Sequence, residues 1–144
     1  MKPRSLFSYL AAALLLFSVP AFSPTYAAAP SLSGIWYGEG QPDDPNIVYL
    51  DYFGADGNFI SEFRKYERCT VVEDHIESGT WTSKGNVQSL VTTEINGAPV
   101  HFEHAYTIEK LTDTQVSARL LGNGYLFVEQ RIDRFEFPNC FRAS

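Results

Sequence analysis

Four short turn signals divide most of this chain into runs of β-forming residues. Asp-Gly, Gly-Asn and Asn-Gly pairs favour tight hairpin turns, because glycine and asparagine readily adopt positive φ angles. These pairs lie at positions 56–57, 85–86, 96–97 and 123–124. The runs between them are rich in Val, Ile, Thr, Phe and Tyr and show almost no helical periodicity. Consecutive hairpins of this kind predict an antiparallel meander.

The spacing of these runs predicts an all-β fold. We expect eight strands, over residues 34–40, 47–53, 58–66, 75–82, 87–95, 100–108, 115–121 and 125–132, with a loop at 41–45 and a short strand or connector at 69–72. A helix fits only between Glu67 and Asp74 or in the C-terminal tail. A long twisted meander tends to close on itself and remove its edges. The prediction is therefore a single eight-stranded antiparallel up-and-down β-barrel, wide enough inside for side chains or one small ligand.

The first residues of the chain, 1–27, read as a secretory signal peptide that precedes one domain over 28–144. Lys2 and Arg4 begin it, and small residues around Ala27 suit a cleavage site. The apolar run at 10–17 is too short for a bilayer span, which needs roughly 20 residues. We therefore expect a periplasmic or secreted protein without a membrane anchor.

The charge balance is acidic and restricts the choice of partner. The formal net charge is −6 at pH 7, and it becomes −8 once Lys2 and Arg4 leave with the leader. Repulsion from phosphate groups argues against nucleic acid and anionic membranes as partners. Neutral and cationic partners remain compatible with this surface.

The chain contains two cysteines, Cys69 and Cys140. In an oxidising compartment a lone pair most simply forms a disulfide, which in loop-entropy reasoning stabilises a fold by about 4 kcal/mol for a loop of this length. The bond would tie the tail at 135–141 onto the middle of the domain. The alternative is a catalytic or metal-binding thiol pair, but the Cys-x-x-Cys spacing typical of such pairs is missing.

Some predicted strands are apolar on both faces. These stretches are 47–50, 120–121 and 125–128. An apolar patch on the outside of a barrel must be covered by the tail, by a second subunit or by a ligand. The sequence leaves these three possibilities open.

Residues that could carry chemistry are scattered. His101 and His104 lie three apart, so on a strand they point to opposite faces, and we expect no metal site there. Asp51 and Glu129 each interrupt an apolar strand, and a carboxylate facing the barrel interior is costly unless it is paired, plausibly with Arg119 or Arg131. Such a pair is either structural or orients a ligand. We recognise no catalytic or cofactor motif, and expect neither enzymatic activity nor a cofactor.

The pattern Gly34-x-Trp36, followed by the meander and by Arg131 in the last strand, resembles the lipocalin-like (calycin) superfamily. The chain is also similar to short bacterial secreted domains of that type, through the motifs at 34–36, 56–59 and 79–86. The resemblance implies a barrel whose base is closed by the arginine packing on the tryptophan, so that Gly34, Trp36 and Arg131 are structural. Arg134 is the second choice for the arginine.

The same resemblance, together with the many aromatic residues on predicted strands, indicates binding of a small apolar or aromatic molecule inside the barrel. The expected ligand-binding residues are Trp36, Phe63, Trp81, Phe102, Tyr106 and Phe127. The alternative is a protein-binding module, such as a hydrolase inhibitor or an envelope assembly factor, or a homodimer. Strands that are apolar on both faces favour that alternative.

Overall fold

A computed structural model describes residues 29–142 and shows a closed barrel of eight antiparallel strands. In chain order these are β1 (Gly34–Gln41), β2 (Asp44–Phe53), β3 (Asn58–Glu67), β4 (Thr70–Lys84), β5 (Val87–Ile95), β6 (Ala98–Leu111), β7 (Gln115–Leu120) and β8 (Leu126–Ile132). Each strand pairs with its sequence neighbours, and β8 pairs with β1 from Ile132 opposite Ile35 to Glu129 opposite Gly38. The predicted eight-stranded up-and-down barrel is confirmed. The predicted signal peptide lies outside the described residues.

The strands extend further than the sequence pattern indicates. β4 begins at Thr70, so the stretch where a helix or connector was possible is part of the sheet. Opposite charges face each other across this extension, with Arg64 opposite Asp74 and Lys65 opposite Glu73, and such pairs stabilise a ladder. β2 begins at Asp44, inside the predicted loop, where its carboxylate lies 2.6 Å from the Lys65 ammonium. Among the described residues, no helix is long and apolar enough to cross a membrane.

One end of the barrel, here called the base, is closed by Trp36. Its side chain is fully buried, and its indole N–H donates to the Leu32 carbonyl at 2.7 Å. The Arg131 guanidinium lies over the indole, 4.2 Å from the ring centroid. Gly34, at φ 134°, makes room for it, because a Cβ at this position would overlap the guanidinium. This is the arrangement that the resemblance implies.

Arg131 also ties separate parts of the chain together at the base. Its Nε donates to the Asp113 carbonyl at 2.8 Å and its Nη1 to the Ser33 carbonyl at 2.8 Å, while Nη2 donates to the Ser31 carbonyl. The side chain therefore links β8 to the β6–β7 turn and to the segment before β1. A planar guanidinium can stack on a ring and donate to several carbonyls at once.

An apolar core fills the barrel next to the base. Its buried members are Leu32, Trp36, Phe53, Phe59, Leu90 and Val116, and Trp81, Tyr106, Ile108 and Leu111 pack against them. The Trp81 ring lies 5.3 Å from that of Phe53, and its indole N–H donates to the Gly54 carbonyl at 2.9 Å. This half of the interior is packed with side chains.

The outward side chains of Val48 and Leu50 are fully buried, which on a barrel surface requires a cover. Their neighbour Arg64, opposite Val48 on β3, has its guanidinium 4.2 Å from the centroid of the Phe137 ring. The tail around Phe137 therefore lies over this face. Of the three covers that the sequence left open, the tail covers this stretch.

The tail is fixed by two bonds beyond that contact. A disulfide joins Cys69 to Cys140, as predicted. The Tyr66 hydroxyl donates to the Pro138 carbonyl at 2.7 Å. Both bonds hold the tail against the end of the barrel opposite the base.

Replacing Arg131 by alanine tests the closure of the base. We expect Arg131→Ala to lower the free energy of unfolding by about 2–4 kcal/mol, because it removes the stacking on Trp36 and leaves carbonyl groups without their donor. Denaturant unfolding measures the change. Arg134→Ala is the matched control, since Arg134 is exposed, and it should change stability by no more than about 0.5 kcal/mol. Equal effects of the two variants would contradict this account of the base.

Candidate functional site

Beyond the core, the barrel interior contains a cavity of about 50 Å³. Its lining residues are Gln41, Tyr49, Asp51, Phe53, Ser61, Gln88, Leu90, Tyr106, Ala118, Phe127 and Glu129. Phe53 belongs to the core, whereas Gln41 lies at the end of β1 away from the base, so the cavity extends toward that end, here called the mouth. The volume suits a few waters or one small chemical group, and it is far below the roughly 300 Å³ of a drug-sized pocket.

The period-two geometry of β2 places three cavity residues in a row. Tyr49, Asp51 and Phe53 alternate with outward residues and all point inward. Ser61 of β3 lies opposite Asp51. Gly38 of β1 lies opposite Tyr49, and a Cβ there would overlap the Tyr49 ring. The glycine thus lets the tyrosine lie flat across the inside of β1.

Two carboxylic acids, Asp51 and Glu129, line this cavity. Asp51 is 9% exposed and Glu129 is 7% exposed. Burial raises the pKa of Asp51 to about 7, against the opposing effect of a hydrogen bond from Ser61. Burial, followed by the charge of Asp51, raises the pKa of Glu129 well above its ordinary value, against the opposing effect of the neighbouring Tyr49 hydroxyl. Like charges in a poorly hydrated place cannot both ionise easily, so the pair retains protons near neutral pH.

Four buried polar atoms at the cavity have no hydrogen-bond partner among the described residues. They are Tyr49 Oη, Asp51 Oδ1, Gln88 Nε2 and Glu129 Oε2. Burial, and then the charge of Glu129, raises the pKa of the Tyr49 phenol. Buried polar groups in native proteins are nearly always bonded, so four such atoms around one cavity indicate a place built to receive polar groups.

The arginines expected to pair with these acids do not do so, and that prediction is wrong. Arg131 is engaged at the base with Trp36 and three backbone carbonyls. Arg119 is directed to the outer surface, where its Nε lies 2.5 Å from Glu109 Oε1. The reason is strand parity: Ala118 points inward, so the adjacent Arg119 points outward.

Of the six predicted ligand-binding residues, Tyr106 and Phe127 line the cavity. Trp36 and Trp81 lie in the core next to the base instead. Phe63 stacks on His75, with 4.6 Å between ring centroids.

Phe102 completes the predicted set and lies toward the mouth. It is 51% exposed, although it is paired with the inward-facing Thr92. His104 pairs with Leu90 on the same inner face, while His101 is exposed and bonds Glu103 at 3.0 Å. The described residues contain no cluster of three or more His, Cys, Asp or Glu suited to a metal ion.

Sequence reasoning missed Ser61 and Gln88 as cavity residues. A polar residue on a strand looks like a surface residue until its face is known. Gln88 alternates with Leu90 and Thr92, all buried, and this alternation was the signal that could have placed it inside.

The walls of the cavity are aromatic. The Phe127 ring meets three tyrosine rings edge-to-face, at centroid distances of 6.0 Å to Tyr49, 5.8 Å to Tyr106 and 4.7 Å to Tyr125. Such rings offer both apolar surface and electron-rich faces. Chemically, the site combines aromatic walls with polar groups that can both donate and accept hydrogen bonds, namely two carboxylic acids, a phenol and an amide.

No protein-family model matches the chain, and no curated protein matches it significantly.

The buried acids predict a stability that falls as pH rises. Asp51 and Glu129 retain protons in the folded state at pH values where the unfolded chain has lost them, so their favourable contribution is complete below about pH 4. The contribution of Asp51 is lost as pH rises through about 7, and that of Glu129 is lost as pH rises through its own raised pKa. Asp51 alone accounts for a change on the order of 4 kcal/mol. Denaturant unfolding across this range measures it.

Neutral variants provide the matched comparison. Asp51→Asn and Glu129→Gln should each flatten the pH dependence and raise stability near pH 8 relative to the native chain. Glu94→Gln, at an exposed position of β5, should leave the slope unchanged. A native slope that survives both interior substitutions would show that other groups cause it.

Proposed function

We propose that this protein is a periplasmic or secreted lipocalin-like binding protein that holds a small apolar or aromatic molecule in its barrel and does not catalyse a reaction. The observation that carries the proposal is the aromatic cavity that remains in an otherwise packed barrel. Its walls come from Tyr49, Phe53, Tyr106 and Phe127. Pockets that bind small molecules are typically apolar and aromatic, with a few placed polar groups.

The size of the cavity determines how a ligand would fit. A volume of about 50 Å³ accommodates one group of a molecule, so the remainder would lie in the mouth. Aromatic surface is available there on the half-exposed Phe102 and on the partly buried Phe63–His75 stack. The ligand would therefore be partly enclosed, with its inner end against Phe127 and Tyr106.

A compartment outside the cytoplasm is supported by two features. The disulfide between Cys69 and Cys140 is typical of proteins from oxidising environments. The predicted leader at 1–27 agrees with it.

A second candidate function is protein binding by the outer wall. Four outward apolar residues form one row across β8, β1, β2 and β3: Ile132, Ile35, Tyr52 and Ile60. Tyr52 and Ile60 are 41% and 42% exposed. A continuous apolar row of this kind is typical of an interface with a hydrolase, an envelope protein or a second copy. Light scattering tests the last case, because an Ile60→Glu variant would separate a dimer that depends on this row.

Filling the cavity tests the first function. Ala118 is buried and lines the cavity, so Ala118→Leu should occupy the space and weaken binding of indole or 2-naphthol at least about tenfold. Amide chemical-shift changes during titration measure binding and locate it. Ala105→Leu is the matched control, because Ala105 lies between the inward residues His104 and Tyr106 on the outer face of β6. Shift changes confined to the outer wall, or their absence, would contradict the proposal.

A further inference from the structure

We propose that the cavity receives the ammonium group of a primary amine, whose apolar or aromatic body lies in the mouth. The inference deepens the proposed function and rests on it. It names the chemical class of the ligand by the groups that would contact its inner end.

The acceptors of the cavity match an ammonium group in number and kind. Three of the unpartnered atoms are oxygens, Tyr49 Oη, Asp51 Oδ1 and Glu129 Oε2, and an ammonium group has three N–H donors. The fourth atom is Gln88 Nε2. A half-turn of that amide presents its carbonyl oxygen in place of the nitrogen, which makes it a further acceptor.

Among the described residues, the acidic groups of the cavity have no basic counterpart in its lining. Its lining, within the part of the chain that the structure describes, includes two carboxylic acids and no Lys, Arg or His. A buried carboxylate without a counter-ion is costly, and a bound cation removes that cost. The aromatic rings of Tyr106 and Phe127 add to this preference, because a cation is attracted to a ring face.

Other titratable groups surround the two acids. The charge of Glu77 on β4 adds to the effect of burial in raising the pKa of Asp51. Burial, and then the charges of Asp51 and Glu129, raise the pKa of Tyr106 on β6. His75, also of β4, has its Nε2 3.3 Å from Glu77, so its charge when protonated is directed to that carboxylate. Tyr125, near Tyr49, and His104, on the inner face of β6, are further titratable groups toward the mouth.

The overall charge favours the same class of ligand. The formal net charge of −6 attracts cations toward the protein and repels anions. The small volume suits an ammonium group with its first methylene rather than a whole molecule.

Binding of a cation must be coupled to proton release. The acids hold protons near neutral pH because they are buried and close to each other. An ammonium group favours their ionised forms, so it displaces protons, and its affinity rises with pH until the amine itself deprotonates.

Three ligands of one shape and different charge test the proposal. They are 2-phenylethylamine, 2-phenylethanol and 3-phenylpropionate, titrated calorimetrically and by amide chemical shifts at about pH 5 and about pH 8. We expect the amine to bind at least about tenfold more tightly than the alcohol at the higher pH. Its affinity should fall at least about tenfold at the lower pH, while that of the alcohol stays unchanged.

Variants separate charge recognition from loss of fold. Asp51→Asn and Glu129→Gln should each weaken amine binding at least about tenfold and leave alcohol binding intact, which also shows that the barrel is folded. Glu94→Gln, at the exposed surface, should bind the amine like the native chain. Calorimetry in two buffers of different ionisation enthalpy should show proton release with the amine and none with the alcohol.

The outcomes that overturn the inference are distinct from failure of the proposed function. Equal affinity for the three ligands would contradict recognition of the ammonium group, but it would remain consistent with binding of a small molecule in the barrel. If calcium or zinc changes the amide chemical shifts around Asp51 and Glu129 and the amine does not, the inference is overturned in favour of a metal ion. If none of the three ligands binds and indole and 2-naphthol also fail, both proposals fall.

Discussion

The closed end of this barrel depends on the contact between the Arg131 guanidinium and the Trp36 ring. The arginine stacks on the indole and donates to carbonyls of the β6–β7 turn and of the segment before β1. Since β1 and β8 are the first and last members of the meander, this one side chain reinforces the pairing that closes the sheet. The base is consequently filled, and the cavity extends toward the mouth.

The interior is divided into an apolar part, whose burial stabilises the fold, and a polar part, whose burial destabilises it. Burial of rings such as Phe53 and Phe59 is favourable, whereas Asp51 and Glu129 lie in the same interior without a counter-ion among residues 29–142. An unpartnered buried polar group costs roughly 1–3 kcal/mol. Strongly perturbed acids in a cleft are typical of functional sites. The polar part is therefore where we place function.

Much of the fold follows from local sequence, whereas the site depends on register. Turn pairs such as Asn96-Gly97 predict hairpins within a few residues, so the meander and its closure could be predicted. Asp51 and Glu129 also stood out, because each interrupts an apolar strand. Their partners could not be predicted, since the face on which Arg119 lies is fixed by the register of β7 with β6 and β8. Gln88, by contrast, could have been placed inside from its alternation with Leu90 and Thr92.

The central claim is that Asp51 and Glu129 share a poorly hydrated cavity and retain protons there. A pH titration of their carboxyl ¹³C chemical shifts measures this directly, with Asp51→Asn to assign the signals. The account predicts that Asp51 titrates near pH 7 and that Glu129 titrates well above the ordinary range for a glutamate. If both carboxyl groups titrated near pH 4, the ordinary value for exposed acids, the account would be contradicted.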